Sequence, residues 1–289
     1  MSRTTLALAA SSFAALAMTI TSAAGAAPAP TGEGETPTPT DEARSAGIEE
    51  PGDAAMGWKQ RDVRTRTQAK AAAPSGVPGI DVSGWQGQVD WAGQYADGKR
   101  FAYVKATEGR SYRSPAFSHQ YTGAGGAGLV RGGYHFARPD SGGPEEQVDF
   151  FLNNGGGWTG DGITLPGMVD FEAYSGLPRN YGLGQQEMRD WISAFSIRYR
   201  DQAGRRPVIY TNLHWWNDVV GDWTPTNSPL FLASYSSSRP STLPGRWWGW
   251  ELWQYSDSGP FAGDSNLWYG SESQFESFVT DADYDAAGI

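Results

Sequence analysis

Gly167-Met-Val-Asp-Phe-Glu172, then the stretch Gln185–Ala203, then Pro207-Val-Ile-Tyr-Thr211: the reading of these three segments decides the fold. The first and third are short, mostly apolar runs of the kind that form buried strands. The middle one carries Met188, Trp191, Ile192, Phe195 and Tyr199 at steps of three and four, which is one buried helix face. A strand, a helix and a second strand imply a parallel pair joined by a crossover.

The same alternation extends outward. Candidate strands lie at Gly79–Ser83, Phe101–Thr107, Arg131–Ala137, Leu230–Tyr235 and Trp250–Ser256. Asp90–Ala96, Ser114–Ala124 and Pro144–Asn153 have helical spacing between them. Seven or more strands in about 210 residues favour a closed barrel over an open sheet. The last connections are too short for full helices. The expected fold is therefore α/β, an irregular TIM-like barrel, occupying residues 78–289.

The flanking sequence differs sharply. Arg3, the apolar run Leu6–Ile20 and the small residues Ala24-Gly25-Ala26 make residues 1–26 a signal peptide, so a secreted, extracellular protein is expected. The run is short for a membrane anchor, and no membrane partner is expected after cleavage. Residues 27–77 are rich in Pro, Thr, Ala, Gly and charge, with Ile48, Met56 and Trp58 as the large apolar exceptions. Such a segment cannot bury enough surface to offset its ordering entropy. It reads as a flexible leader or linker, or as a pro-segment. The remainder holds 12 of the 13 Trp.

Composition excludes several classes. There is no Cys, which rules out a disulfide scaffold, thiol catalysis and Cys-ligated zinc. The net charge of −10 argues against nucleic acid as a partner. No metal or other cofactor is expected, and a monomer is.

Side chains on a strand alternate, so Asp170 and Glu172 share a face. Adjacent acids repel, and one keeps its proton to a higher pH than usual. A protonated acid beside an ionised one is what glycosidic bond cleavage requires. In barrels of this kind, function collects at the C-terminal strand ends. Asp81, Glu108, Tyr134, His135, Tyr210, Asn212, Trp253 and Gln254 fall at or near those ends as well.

Other signals carry less. Gly123-Ala-Gly125-Gly126-Ala-Gly128 matches a dinucleotide pattern, but a helix precedes it and a strand follows, the reverse of what that motif needs. It reads as a helix-to-strand turn. His119, His135 and His214 have no partners at metal-ligand spacing. His135, between Tyr134 and Phe136, reads as a hydrogen-bonded core residue, and His119 as part of an exposed helix. No Gly-x-Ser-x-Gly elbow is present. Eight Trp between Trp215 and Trp268 exceed ordinary packing needs, so one or two are expected to stack on sugar rings, with Trp253 foremost.

Six ordered motifs carry a family resemblance. They are Gly79-Ile-Asp81-Val-Ser83-Gly-Trp85-Gln86-Gly87, Tyr103-Val-Lys105-Ala-Thr-Glu108-Gly109, Gly133-Tyr134-His135-Phe136-Ala-Arg138-Pro139, Val169-Asp170-Phe-Glu172, Ile209-Tyr210-Thr-Asn212 and Leu252-Trp253-Gln254-Tyr255. From about Gly79 to Phe278 the chain resembles the glycoside hydrolase family 25 muramidases, most of all their secreted actinobacterial lysozymes. The resemblance implies a flattened (β/α)5(β)3 barrel. It also implies hydrolysis of the β-1,4 bond between N-acetylmuramic acid and N-acetylglucosamine in peptidoglycan, whose glycan strands would be the partner. Glu172 matches the family's proton donor, Asp170 the acid beside it and Asp81 the acid of the first strand. Asp264, in Gly263-Asp264-Ser-Asn266-Leu-Trp268-Tyr269-Gly270, matches the fourth acid in an altered aromatic setting. Tyr134 and Tyr210 match groove-lining aromatic residues, with Phe136, Trp253 and Glu108 expected alongside them. A Cys pair that relatives carry falls here on Asn180 and about Val219 or Val220, so the Tyr174–Gly184 loop lacks that bridge.

On this reading Glu172 protonates the leaving oxygen, with Asp170 ionised beside it. Either a carboxylate attacks the anomeric carbon, or the substrate's 2-acetamido oxygen does so while Asp170 stabilises it; Asp-x-Glu sites acting on N-acetylated sugars favour the second. Two other classes remain open: a chitinase-like hydrolase, and a non-catalytic glycan-binding barrel.

Overall fold

The computed structural model describes residues 54, 56, 57, 76–257 and 263–286. Residues 1–26, read from the sequence as a signal peptide, lie outside them. Eight strands close a barrel. In chain order they are β1 (Val77–Val82), β2 (Phe101–Glu108), β4 (Val130–Phe136), β5 (Met168–Asp170), β6 (Val208–Asn212), β7 (Leu230–Ala233), β8 (Leu252–Ser256) and β9 (Asp264–Trp268). The short strand β3 (Tyr112–Arg113) forms a hairpin on β2. Parallel pairing runs from β1 through β8, and β9 closes the ring antiparallel to both β8 and β1.

Helices α1 (Trp91–Ala96), α2 (Phe117–Gly126), α3 (Pro144–Phe151), α4 (Gln185–Ala203) and α5 (Leu213–Val219) follow the first five barrel strands, and α6 (Glu272–Thr280) follows β9. This is the expected (β/α)5(β)3 arrangement. Four elements go beyond the sequence reading: β3, β9, α5 and α6. Three helix starts are fixed by side-chain caps. Asp90 caps α1, its Oδ1 accepting from the Gly93 N–H at 2.9 Å. Asn212 caps α5 by accepting from the Trp215 N–H at 2.9 Å, so this residue serves a helix start. Ser271 and Gln274 form a capping box for α6. The Gly123–Gly128 run lies mostly inside the end of α2, with the turn proper beginning after Gly126.

Strand alternation sorts the core into an interior and an outer layer. Phe101, Tyr103, Tyr134, Met168, Val208, Tyr210, Phe231, Leu252 and Trp268 pack together inside the barrel. Val169 and Ile209 face outward onto α4, where Met188, Trp191, Ile192, Phe195 and Tyr199 supply the expected buried face. Gly79 is required in this interior, because a Cβ there would come within 2.4 Å of the Phe101 ring. The bottom and middle of the barrel are thus filled with apolar and aromatic side chains. The polar inward positions are left at the C-terminal mouth.

Candidate active site

Asp170 is the last residue of β5, between Phe136 of β4 and Tyr210 of β6. Alternation continues one step past the strand. Phe171 points outward and packs on Trp191 and Trp215, with ring centroids 5.7 and 6.2 Å away. Glu172 is therefore returned to the mouth beside Asp170. Its backbone is pinned by the Tyr181 hydroxyl, which donates to the Glu172 carbonyl at 2.6 Å. Asn180 holds the same loop through the Leu183 carbonyl at 2.7 Å, and Trp215 Nε1 donates to the Arg179 carbonyl at 2.8 Å. These bonds anchor the loop that lacks a disulfide.

Asp81 and Asp264 stand directly opposite each other across the antiparallel β1–β9 pair. Like charges in that position repel. A single amide group relieves them: Gln254 Nε2 donates to Asp81 Oδ2 at 2.9 Å and to Asp264 Oδ2 at 3.2 Å. Asn266 Nδ2 adds a second bond to Asp81 Oδ2 at 2.8 Å. The other end of Gln254 accepts from the hydroxyls of Tyr210 at 2.8 Å and Tyr235 at 3.0 Å. Gln254 thus links two acids to two tyrosines.

The electrostatics follow from burial. Asp170 is fully buried, and neither of its carboxylate oxygens has a hydrogen-bond partner among the described residues. Burial holds its carboxyl well above the usual carboxylate range, and the neighbouring charge of Glu172 raises it further, while Lys105 opposes both. Burial also pushes the Tyr210 phenol well up, followed by the Glu172 charge.

Beside these acids sits a second polar group. The register between β2 and β4 shifts after Lys105, so Ala106 is an extra residue in a bulge. The bulge puts Lys105 and Glu108 on one side, where strict alternation would separate them. Lys105 Nζ meets Glu108 Oε2 at 2.7 Å, and Arg138 Nη1 meets Glu108 Oε1 at 3.2 Å. Arg138 is itself held by both oxygens of Asp140, at 2.9 and 2.8 Å, and lies 3.8 Å over the Tyr174 ring.

The structure brings Asp81, Asp170, Glu172, Asp264, Tyr134, Phe136, Tyr210 and Glu108 to one end of the barrel. It does not bring Trp253. Gln254 points inward, so its strand neighbour must point outward. Trp253 is fully buried there, its rings against Trp250 and Tyr255 and its Nε1 donating to the Ser234 carbonyl at 2.7 Å. It has no free face for a sugar. Among the described residues, Trp85 and Trp248 are the exposed Trp. His135 is buried between Thr107 Oγ1 at 2.8 Å and Gln147 Oε1 at 3.0 Å, chiefly through burial its pKa falls to about 3, and it serves the core.

One occupant of the mouth comes from before the barrel. Ala54 and Met56 are fully buried, and the Gly57 N–H donates to Glu172 Oε1 at 2.8 Å. Lys105 Nζ donates to the Ala54 carbonyl. For these three residues the expectation of a flexible leader does not hold. Met56 is one of the few large apolar residues of that segment, and it has joined the apolar cluster that contains Tyr134 and Tyr210.

Residues 80–264 match the family model described as Glycosyl hydrolases family 25. The chain is 48% identical over 205 residues to a protein named N,O-diacetylmuramidase from Arthroderma benhamiae, covering 70% of this chain and 86% of that one. It is 42% identical over 240 residues to Lysozyme M1 of Streptomyces globisporus, covering 78% of this chain and 80% of that one. Among solved structures, the bacterial lysozyme from Streptomyces coelicolor superposes with a TM-score of 0.69 at 41% identity, over 73% of this chain and all of that one.

Proposed function

This chain belongs to glycosyl hydrolase family 25, and from that premise we propose that it is a secreted muramidase acting on bacterial peptidoglycan. The bond cut is the β-1,4 linkage from N-acetylmuramic acid to N-acetylglucosamine. The observation that carries this reading is the buried pair Asp170 and Glu172, set among further carboxylates at the C-terminal mouth of the barrel.

Glu172 is the proton donor. A glycosidic oxygen only accepts hydrogen bonds, so the carboxyl facing it must carry the proton. In the described state the Gly57 N–H faces Glu172 instead, and an N–H donor suits the ionised carboxylate. The shared proton of the pair then belongs on Asp170, whose buried oxygens, with no hydrogen-bond partner among the described residues, favour the neutral form. Exchange of the Gly57 amide for a glycosidic oxygen reverses this preference. It leaves Glu172 as the acid and Asp170 as the charge facing the anomeric centre.

Positive charge then grows at that carbon. Attack by the substrate's own 2-acetamido oxygen, oriented by ionised Asp170, yields a cyclic intermediate that water opens with Glu172 now acting as base. Asp81 and Asp264, fixed by Gln254 and Asn266, add negative potential and accept from sugar hydroxyls. Tyr134, Phe136 and Tyr210 form the groove floor. The enzyme works as a monomer on glycan strands.

Mass spectrometry of soluble fragments from purified peptidoglycan tests the assignment. Fragments with muramic acid at the new reducing end are expected. N-acetylglucosamine at that end, or release from chitin in preference to walls, would reassign the bond. Binding with no new reducing ends would make the barrel a glycan-binding module.

A further inference from the structure

We infer that Ala54, Met56 and Gly57 form an autoinhibitory plug, a piece of this chain's own leader seated on the catalytic acid where the glycan must bind. The inference rests on the muramidase reading for what is blocked, but on independent contacts for the blocking itself.

Three contacts define the plug. The Gly57 N–H occupies Glu172 Oε1, the carboxyl that must face the scissile oxygen. The Ala54 carbonyl takes a hydrogen bond from Lys105, the cation that acts on Asp170. Met56 is fully buried among the aromatic residues of the groove floor. The plug thus presents an N–H, a carbonyl and an apolar group in short succession. An N-acetylated sugar offers the same three kinds of group. A glycan cannot reach Glu172 while the Gly57 amide is there.

The fit at Gly57 is specific. Its φ is +72°, a conformation that side chains rarely adopt. A Cβ would stand 2.1 Å from the Tyr235 hydroxyl, 2.9 Å from Gln254 Oε1 and 3.2 Å from the Tyr210 hydroxyl. The backbone approaches the site this closely only because the residue is glycine. Tethering adds to the effect, because a segment on the same chain competes at a high effective concentration. The similarity to Lysozyme M1 covers 78% of the chain, whereas residues 77–289 make up about 74% of it, so that likeness reaches into the leader.

The plug requires that removal or displacement of residues 54–57 switches the enzyme on. Gly57→Val tests this in the full chain, with intact mass confirming that residues 54–57 are present and a melting curve confirming the barrel. Two quantities are read: the rate at which bacterial walls clear, and the affinity for a soluble tetrasaccharide of alternating N-acetylglucosamine and N-acetylmuramic acid. Both should rise, by about tenfold or more, because the variant adds backbone strain to the clash. Equal rates together with equal affinities in parent and variant overturn the plug. If neither chain clears walls, tighter binding by the variant supports the plug and sinks the hydrolase reading, while equal binding sinks the plug.

Discussion

Two groups of carboxylates share the mouth of this barrel, and they are held in opposite ways. On the side of β2 and β4, Glu108 and Asp140 are neutralised by Lys105 and Arg138 at 2.7–3.2 Å. On the side of β1, β5 and β9, Asp81 and Asp264 are held by neutral amides, and Asp170 by no hydrogen bond at all among the described residues. Ion pairing fixes a side chain and also quenches its chemistry. An amide donor fixes a carboxylate and leaves its charge in place. On the proposed function, the first group holds the mouth in shape and the second acts on the glycan that enters it. Burial alone does not separate them, because Glu108 is as buried as Asp81, Asp170 and Asp264, while its neighbour Asp140 is exposed.

The contrast is broken most severely at Glu172. Glu172→Gln keeps the shape and removes the transferable proton. Wall clearance should fall at least ~100-fold with the parent's leader state matched, which is about 2.7 kcal/mol of transition-state stabilisation. The melting temperature should stay near the parent's. Near-normal clearance would remove Glu172 from the acid role.

Asp170→Asn should come next, with a loss of at least roughly 30-fold. Its second effect runs the other way. The folded-state pKa of Asp170 is raised above its ordinary value of 3.8, so the folded form holds the proton more tightly than the unfolded chain. Stability is therefore fully present below about 3.8 and is lost as pH rises toward the folded value. Asn has no such titration. The variant should melt higher than the parent at neutral pH, with the gap closing in acid. An active variant, or one that melts lower at neutral pH, would show that Asp170 is not the strained member of the pair.

Much of this was legible in the chain. The step of two between Asp170 and Glu172 is a direct consequence of strand alternation, and the structure keeps it even past the strand end. The helix Gln185–Ala203 was readable because its apolar period is long and unbroken. The same alternation, applied to Trp253 and Gln254, would have sent Trp253 outward once Gln254 was placed inside. The box Ser271-x-x-Gln274 announces α6, and Asn212 announces α5, by ordinary capping chemistry. The strand β9 was hidden because its inward residues are Asp264, Asn266 and Trp268, which show no apolar alternation. The bulge at Ala106 has no sequence mark, so the meeting of Lys105 and Glu108 could not be read. The seating of Met56 and Gly57 was least legible, because it joins residues more than 100 positions apart. Composition correctly described the leader as poor in apolar residues, yet Met56 was one of its three large apolar exceptions.

Glu108 gives the smallest expected effect on the reaction and the sharpest test of the comparison. The sequence reading put it among substrate-binding residues, but both of its oxygens are committed to cations. Glu108→Gln leaves Lys105, which is fully buried, and Arg138 without their shared counter-charge. Breaking a buried pair in this way costs about 3 kcal/mol, which lowers the melting temperature of a domain this size by roughly 6–12 °C. At a temperature where the variant is still folded, the rate of wall clearance should change by less than about tenfold, since no reacting proton or charge has been removed. The alternative makes a different pattern. If Glu108 binds sugar, KM rises while the melting curve barely moves. A large change in KM with an unchanged melting temperature would therefore merge the two carboxylate groups into one functional site. A low melting temperature with a retained rate keeps them apart, as scaffold and machinery on opposite sides of the same mouth.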